Sequence, residues 1–318
     1  MKSSFNELKS FQVHETVEIL AFWEKYGVVV IENVVDQQQI ESTIDEIWKI
    51  IDSSSEGKVK RDDPTTWGDE YWPDKTKKGF IQPFSEFKWK EMWLNRQNPN
   101  IIKAFEVILG QQEINVSRDR YGVMRPTKGI VLADGTTIDR EEHKNDSNWL
   151  HWDQNGWANN SFQGVQGLLT LSDHTDKSGG FHCVPGFTHE FKQWFSLHSQ
   201  QTHPNGFDGL VEVPVGDPIR ERIANINCNA GSLVIWDSRI PHGNFPNNNS
   251  SFRMVQYITF SPHDKAKFEH RKENLGKETQ NAYRLYGDEW DKNIPTWENQ
   301  LPNYLSPLGK KVVGFESW

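Results

Sequence analysis

Apolar residues in the first third of the chain recur at helical spacing, interrupted by short β-branched runs. Between about 14 and 26, Val17, Leu20, Ala21 and Trp23 fall near a 3.6-residue period and Gly27 follows as a stop, which predicts a helix. Val28-Val-Val-Ile31 then reads as a buried strand, because β-branched side chains fit a pleated surface. Asp36 is placed to cap a helix whose Ile40, Ile44, Ile47 and Ile51 form one stripe for packing on a sheet. Residues about 84–109 resume helical spacing through Trp89, Trp93, Ile101, Ile102, Phe105 and Ile108.

Beyond Gly110 the pattern changes to short strands separated by turn residues. One is expected from Ile114 to Tyr121, and Asp134-Gly135 marks the turn of a hairpin between Lys128 and Ile138. Further strands are expected over 150–153, 165–171, 181–184, 231–236 and 252–260. Many short strands after a helical start predict a mainly β fold, a two-sheet sandwich or jelly roll with helices outside. Residues 53–79 form a polar loop carrying Trp67, Tyr71 and Trp72, which reads either as a substrate wall or as rings packed on the adjacent sheet. Residues 187–225 are a large insertion, and 265–285 are a charged helical stretch. With no repeat and no long linker, one domain spanning 1–318 is expected: helical to about 110, a β core over about 111–262, and an extension from 263.

Composition narrows the partners. A formal charge of −9 argues against nucleic acid or an anionic membrane as the main partner. No apolar run approaches the ~20 residues of a membrane span. Two cysteines, Cys183 and Cys228, make no disulfide framework, and neither a secretion signal nor a peroxisomal ending is present, so a cytoplasmic setting is expected.

The candidate chemistry lies in Trp149-Leu-His151-Trp-Asp153, Ile240-Pro-His242-Gly and Phe252-Arg253-Met-Val. On a strand, His151 and Asp153 leave the same face and Trp152 the other. An apolar strand over 231–236 runs into the turn that carries His242, and Arg253 opens the next strand. Two histidines and a carboxylate are the set that holds non-haem iron with positions left open. In the 252–260 alternation Arg253, Val255, Tyr257 and Thr259 share a face, and an arginine among apolar neighbours needs an anion: a protein carboxylate or a bound diacid.

These segments resemble the phytanoyl-CoA dioxygenase family of iron(II)/2-oxoglutarate oxygenases. Tyr26-Gly-Val-Val-Val-Ile-Glu-Asn-Val-Val35 resembles its entry strand, and Gly179-Gly-Phe-His-Cys-Val-Pro185-Gly186-Phe-Thr-His189 its glycine/proline turn. Gly231-Ser-Leu-Val-Ile-Trp-Asp237 resembles the strand before its distal histidine; the likeness spans about 15–262. It implies a double-stranded β-helix, a cupin-like jelly roll with the N-terminal helices on the major sheet. It puts iron ligands on His151, Asp153 and His242 and the 2-oxoglutarate anchor on Arg253, with His182 and His189 structural. Asn244 stands where members often carry a hydroxyl residue, and Gln166 and Thr170 are further candidates for the co-substrate, although a glutamine at a ladder end reads equally as surface. The chemistry implied is dioxygen-dependent decarboxylation of 2-oxoglutarate to succinate and carbon dioxide, coupled to hydroxylation of an unactivated C–H; desaturation, epimerisation or cyclisation share it. Asp153 argues against a halogenase, where a small residue would be expected.

Substrate contacts are expected from Trp67, Tyr71, Trp72, Arg118, Arg120 and Arg125, although Arg118 and Arg120 read first as surface or ion-paired charges. The expected substrate is a small molecule; oligomeric state is not legible. The competing classes are a jelly-roll binding protein with a silent or structural metal, and a zinc hydrolase, for which no general base is nominated.

Overall fold

The computed structural model describes residues 5–83, 88–145, 149–200, 210–265 and 303–318. The first helix, α1 (Thr16–Tyr26), ends at Gly27 in the left-handed conformation, φ 64°. Helix α2 (Gln37–Ser54) is capped by Asp36, whose side chain accepts from the Gln39 N–H, and it buries Ile40, Ile47 and Ile51, with Ile44 half-buried beside them. The expected helical region near 84–109 is two helices, α3 (Lys90–Arg96) and α4 (Pro99–Leu109). The break falls at Asn98, whose side chain caps α4 ahead of a proline that suits a first helical turn.

The strands in chain order are β1 (Ser10–Phe11), β2 (Val28–Ile31), β3 (Phe80–Ile81), β4 (Ile114–Val116), β5 (Tyr121–Met124), β6 (Ile130–Val131), β7 (Thr137–Ile138) and β8 (His151–Trp152). They continue as β9 (Val165–Thr170), β10 (Phe181–Cys183), β11 (Val211–Glu212), β12 (Ala224–Asn225), β13 (Leu233–Asp237), β14 (His242–Asn244), β15 (Arg253–Tyr257) and β16 (Phe260–Pro262). A seven-stranded sheet runs β1-β2-β13-β9-β15-β5-β3, and a five-stranded sheet runs β11-β8-β14-β10-β12. The two form the jelly-roll core. The Asp134-Gly135 hairpin forms as β6 and β7.

Two expected strands are each divided. Ile114–Val116 pairs with Phe260–Pro262 in a separate two-stranded sheet, whereas Tyr121–Met124 pairs with Arg253–Tyr257 in the large one. The chain changes sheets through 117–120 and 258–259, so alternation could not run unbroken through either segment.

Burial on both faces explains the apolar richness of the large sheet. Its outer face meets the helices. Tyr121 donates to Glu46 of α2, and Gln256 bonds Asn95 and the Met92 carbonyl of α3. A Cβ on Gly167 would strike the Phe105 ring of α4. Burial pushes the Glu46 carboxyl up, partly countered by the Glu91 and Met92 N–H groups that it caps. The inner face meets the five-stranded sheet: Phe181 of β10 lies 4.4 Å from Trp236 of β13, ring to ring.

A third short helix, α5 (Phe191–Leu197), comes from the expected insertion, and α6 (Pro307–Val313) from the extension. The latter is tied to β4, since the Asn115 amide donates to the Lys311 and Val312 carbonyls. The charged stretch expected over 265–285 lies, past Lys265, outside the described residues. Among the described residues no helix is long and apolar enough to cross a membrane, and both cysteines are free.

Candidate active site

His151 and His242 sit directly opposite one another across the β8–β14 pair, with ring centroids 4.6 Å apart. Asp153 follows one residue beyond β8 and places a carboxylate oxygen 3.5 Å from each Nε2. One donor atom from each residue fits within 4.8 Å of the others, and among the described residues these three make up the group. Trp152, between the two ligands, points away as a strand requires. Its ring packs against Phe187, Trp194 and Phe195, and its Nε1 donates to the Arg239 carbonyl.

Local hydrogen bonds aim the donors. Nδ1 of His151 lies 3.2 Å from the Trp149 carbonyl, and Nδ1 of His242 lies 3.1 Å from that of Ile240. A carbonyl only accepts, so each Nδ1 carries the hydrogen and each Nε2 keeps its lone pair for a metal. Burial, then the charge of His151, lowers the His242 pKa, which favours the neutral ligand form. Burial would raise the Asp153 carboxyl, but the two imidazoles against it hold it well below the ordinary range. The donor set thus suits a divalent iron, whose ligands must be unprotonated.

Arg253 is fully buried on the inner face of β15. Its Nε donates to His174 Nε2 at 3.3 Å and its NH2 to Asn244 Oδ1 at 2.8 Å, while NH1 has no hydrogen-bond partner among the described residues. Both partners are neutral: burial, reinforced by the arginine's charge, holds His174 well below the usual histidine range. A buried cation with an unmet donor, and no acid paired to it among the described residues, suits a carboxylate. Gly122 makes its position possible, since a Cβ there would lie 3.2 Å from NH1 and 2.7 Å from Val255 Cγ2. Asn244 continues the chain of contacts by donating to the Tyr257 hydroxyl at 3.3 Å.

The other expected co-substrate contacts are placed differently. Gln166 donates to Asp153 Oδ2 at 2.6 Å, and its oxygen receives the Trp236 indole at 3.0 Å. Trp236 can only donate, which fixes the amide with its nitrogen toward Asp153. The Gln166 amide is thus held between Asp153 and Trp236. The Thr170 hydroxyl is spent on the backbone of Asn229 and Ser232 and leaves the candidate set.

Trp67 and Trp72 are packed into the body of the protein, and Trp72 also lines a cavity beside Tyr71 and Phe80. Both are buried against Phe252, and Trp67 donates to the Lys60 carbonyl. Arg125 is buried beneath them, bonding the Trp67 carbonyl and Asp69 and lying over the Trp72 ring. The three pin the 53–79 loop to the body, because tryptophan with a satisfied N–H and arginine with a paired fork are cheapest when packed. Arg118 is half-buried on the 117–120 crossover. Arg120 pairs with Asp119 and lies over Phe80; with Tyr71 it lines a cavity of about 490 Å³.

Four residues outside the expected set adjoin the site: Trp149, Phe80, Tyr257 and His174. Trp149 stacks on His151 at 3.9 Å, and Phe80 meets both Trp149 and Tyr257 edge-on. Tyr257 was legible as sharing a face with Arg253; Phe80 and His174 carry no local signature. His182 stacks on Phe245 and His189 meets the Glu24 carbonyl, both outside the metal group.

The phytanoyl-CoA dioxygenase family profile matches residues 23–255. A Dictyostelium discoideum protein carrying the same family's name is 29% identical over 323 residues, covering 90% of this chain and 86% of its own. Among solved structures, the GlcNAc-inducible Gig2 protein of Candida albicans superposes with a TM-score of 0.67 at 15% identity, over 98% of this chain and 80% of its own. The epimerase SnoN, solved with Fe3+, alpha-ketoglutarate and nogalamycin RO, superposes at 0.52 with 13% identity, over 78% of this chain and 84% of its own. The family profile covers most of the chain and includes His151, Asp153 and His242, so the chain belongs to the phytanoyl-CoA dioxygenase family.

Proposed function

We propose that this protein is a non-haem iron(II)- and 2-oxoglutarate-dependent oxygenase that hydroxylates an unactivated C–H of a small molecule, releasing succinate and carbon dioxide. The observation that carries the reading is a pair of complementary vacancies in bonding. Three donor side chains bring one atom each within 4.8 Å of the others, and a buried guanidinium with neutral partners offers an unmet N–H. Bound iron(II) and 2-oxoglutarate would supply the oxidising chemistry, decarboxylation of the keto acid coupled to reduction of dioxygen.

The chain's own residues bind, orient and exclude water. His151, Asp153 and His242 hold the ion, Gln166 fixes the Asp153 carboxylate, and Arg253 takes the far carboxylate of the diacid with Asn244 beside it. Trp149, Trp236 and Phe181 wall the two histidines with rings, which lowers the local dielectric. The prime substrate would approach past Phe80 and Tyr257, with Tyr71 and Arg120 on the adjoining cavity. Two unpaired thiols suit a reducing, cytoplasmic setting.

Anaerobic titration with iron(II) and 2-oxoglutarate tests this. A metal-to-ligand charge-transfer band should appear, weaken in Arg253→Ala and vanish in His151→Ala, which should also abolish slow succinate formation in air. No band, or succinate output that survives His151→Ala, would rule out this assignment.

A further inference from the structure

The family reading accounts for Arg253, yet it leaves open why a fully buried guanidinium stands without a carboxylate. Breaking or omitting the anion of a buried pair is ordinarily very costly. Here the place of the anion, at Nε, is taken by His174, itself 2% exposed. Arginine Nε can only donate, so His174 Nε2 accepts and the hydrogen resides on Nδ1. The other contact, at NH2, is the amide oxygen of Asn244. Both groups orient the fork, and neither cancels its charge.

Two acids lie near this corner, and both are engaged elsewhere. Glu32 accepts from Ser10 and Gln12, and Asp173 accepts from the Ala230 N–H. They line, with His174, Cys228 and Asn229, a hollow of about 320 Å³. No ion pair joins either of them to Arg253 among the described residues.

We infer that His174 is a specificity-determining positioning residue: a neutral acceptor that holds the Arg253 guanidinium in place while leaving its full charge for the distal carboxylate of a keto-diacid. The inference rests on the proposed 2-oxoglutarate site and adds what makes that site select a diacid over a monoacid. The neutral collar has a cost when the site holds no anion, and a bound carboxylate relieves it. An aspartate or glutamate in the place of His174 would instead neutralise the arginine from behind.

The test compares 2-oxoglutarate with 2-oxopentanoate, which keeps the keto acid end and chain length but ends in a methyl group. Affinities are measured by calorimetry on iron(II)-loaded protein without oxygen, so no turnover enters. Wild type should prefer the diacid. His174→Asp and His174→Glu should lower that preference about 10–100-fold, because a second anion within a few ångströms competes for the same cation. His174→Gln, a neutral acceptor, should keep it near the wild-type ratio. The ratio is internal to each preparation, so partial loss of folded protein does not alter it, and two acidic variants guard against one failing to fold. A preference unchanged by both acids, or lost as fully in His174→Gln, overturns the inference. A wild type that does not distinguish the two ligands overturns the co-substrate site itself.

Discussion

Replacing Gln166 by leucine separates two roles that a glutamine in this place could have. It removes the 2.6 Å bond to Asp153 Oδ2 and leaves the Trp236 indole without its acceptor. A hydrogen bond to a charged group contributes about 1.5–3 kcal/mol. The Asp153 side chain is 38% exposed, so water can replace part of the loss and the lower half of that range applies. About 1.5–2 kcal/mol corresponds to an iron affinity weakened about 13–30-fold, within the 10–100-fold usual for groups that orient metal ligands. Anaerobic iron(II) titration gives the dissociation constant directly, and a second titration at saturating iron gives that for 2-oxoglutarate. The expected result is a shift in the first with little change in the second. Equal iron binding in wild type and Gln166→Leu, with the loss appearing in 2-oxoglutarate affinity, would refute the steadying role and restore a direct contact with the diacid.

Other outcomes follow from the same structure. Gly122→Ala puts a methyl group 2.7 Å from Val255 Cγ2, 3.1 Å from Tyr257 Cε2 and 3.2 Å from Arg253 NH1; it should cost about 1–3 kcal/mol in urea unfolding and weaken 2-oxoglutarate binding. Trp72→Ala should cost about 3–5 kcal/mol of stability while leaving iron and 2-oxoglutarate affinities unchanged in the folded fraction; a large affinity loss without destabilisation would refute the packing role. Burial holds His143, His174 and His242 below the ordinary histidine value. The unfolded chain takes up their protons near pH 6.5 and the folded chain does not, so the apoprotein should lose stability as pH falls below about 6.5. Denaturation midpoints between pH 8 and 5.5 would show it, and His174→Gln should flatten the slope.

The metal site was legible because its chemistry is written at short range. A two-residue spacing on a strand puts His151 and Asp153 on one side whatever the rest of the chain does, and the run into Pro241-His242 reads as strand and turn. Arg253 stood out because a charge on an apolar strand demands an explanation. Distance along the chain hid the rest. Gln166 shares the inner face, but only the register of Trp236 against Gln166 reveals that the amide is occupied. His174 arrives from a bend after β9, with nothing nearby in sequence to mark it. The 53–79 aromatics could not be sorted from sequence, since a ring can pack inward and line a pocket at once: Trp67 and Trp72 pack on Phe252, and Trp72 and Tyr71 line a cavity. Unbroken strands over 114–121 and 252–260 failed where the chain passes from one sheet to another.

The segment after the glycine/proline turn looks from its length like something added between core strands. It supplies β11, whose Val211 and Glu212 pair with Trp152 and His151, and α5, whose Trp194 and Phe195 cover the back of Trp152. The strand bearing His151 is two residues long and is flanked on one edge by this segment alone. Shortening it would strip the outer splint from His151, so in this protein the apparent embellishment and the metal-binding strand must be retained or lost as one unit.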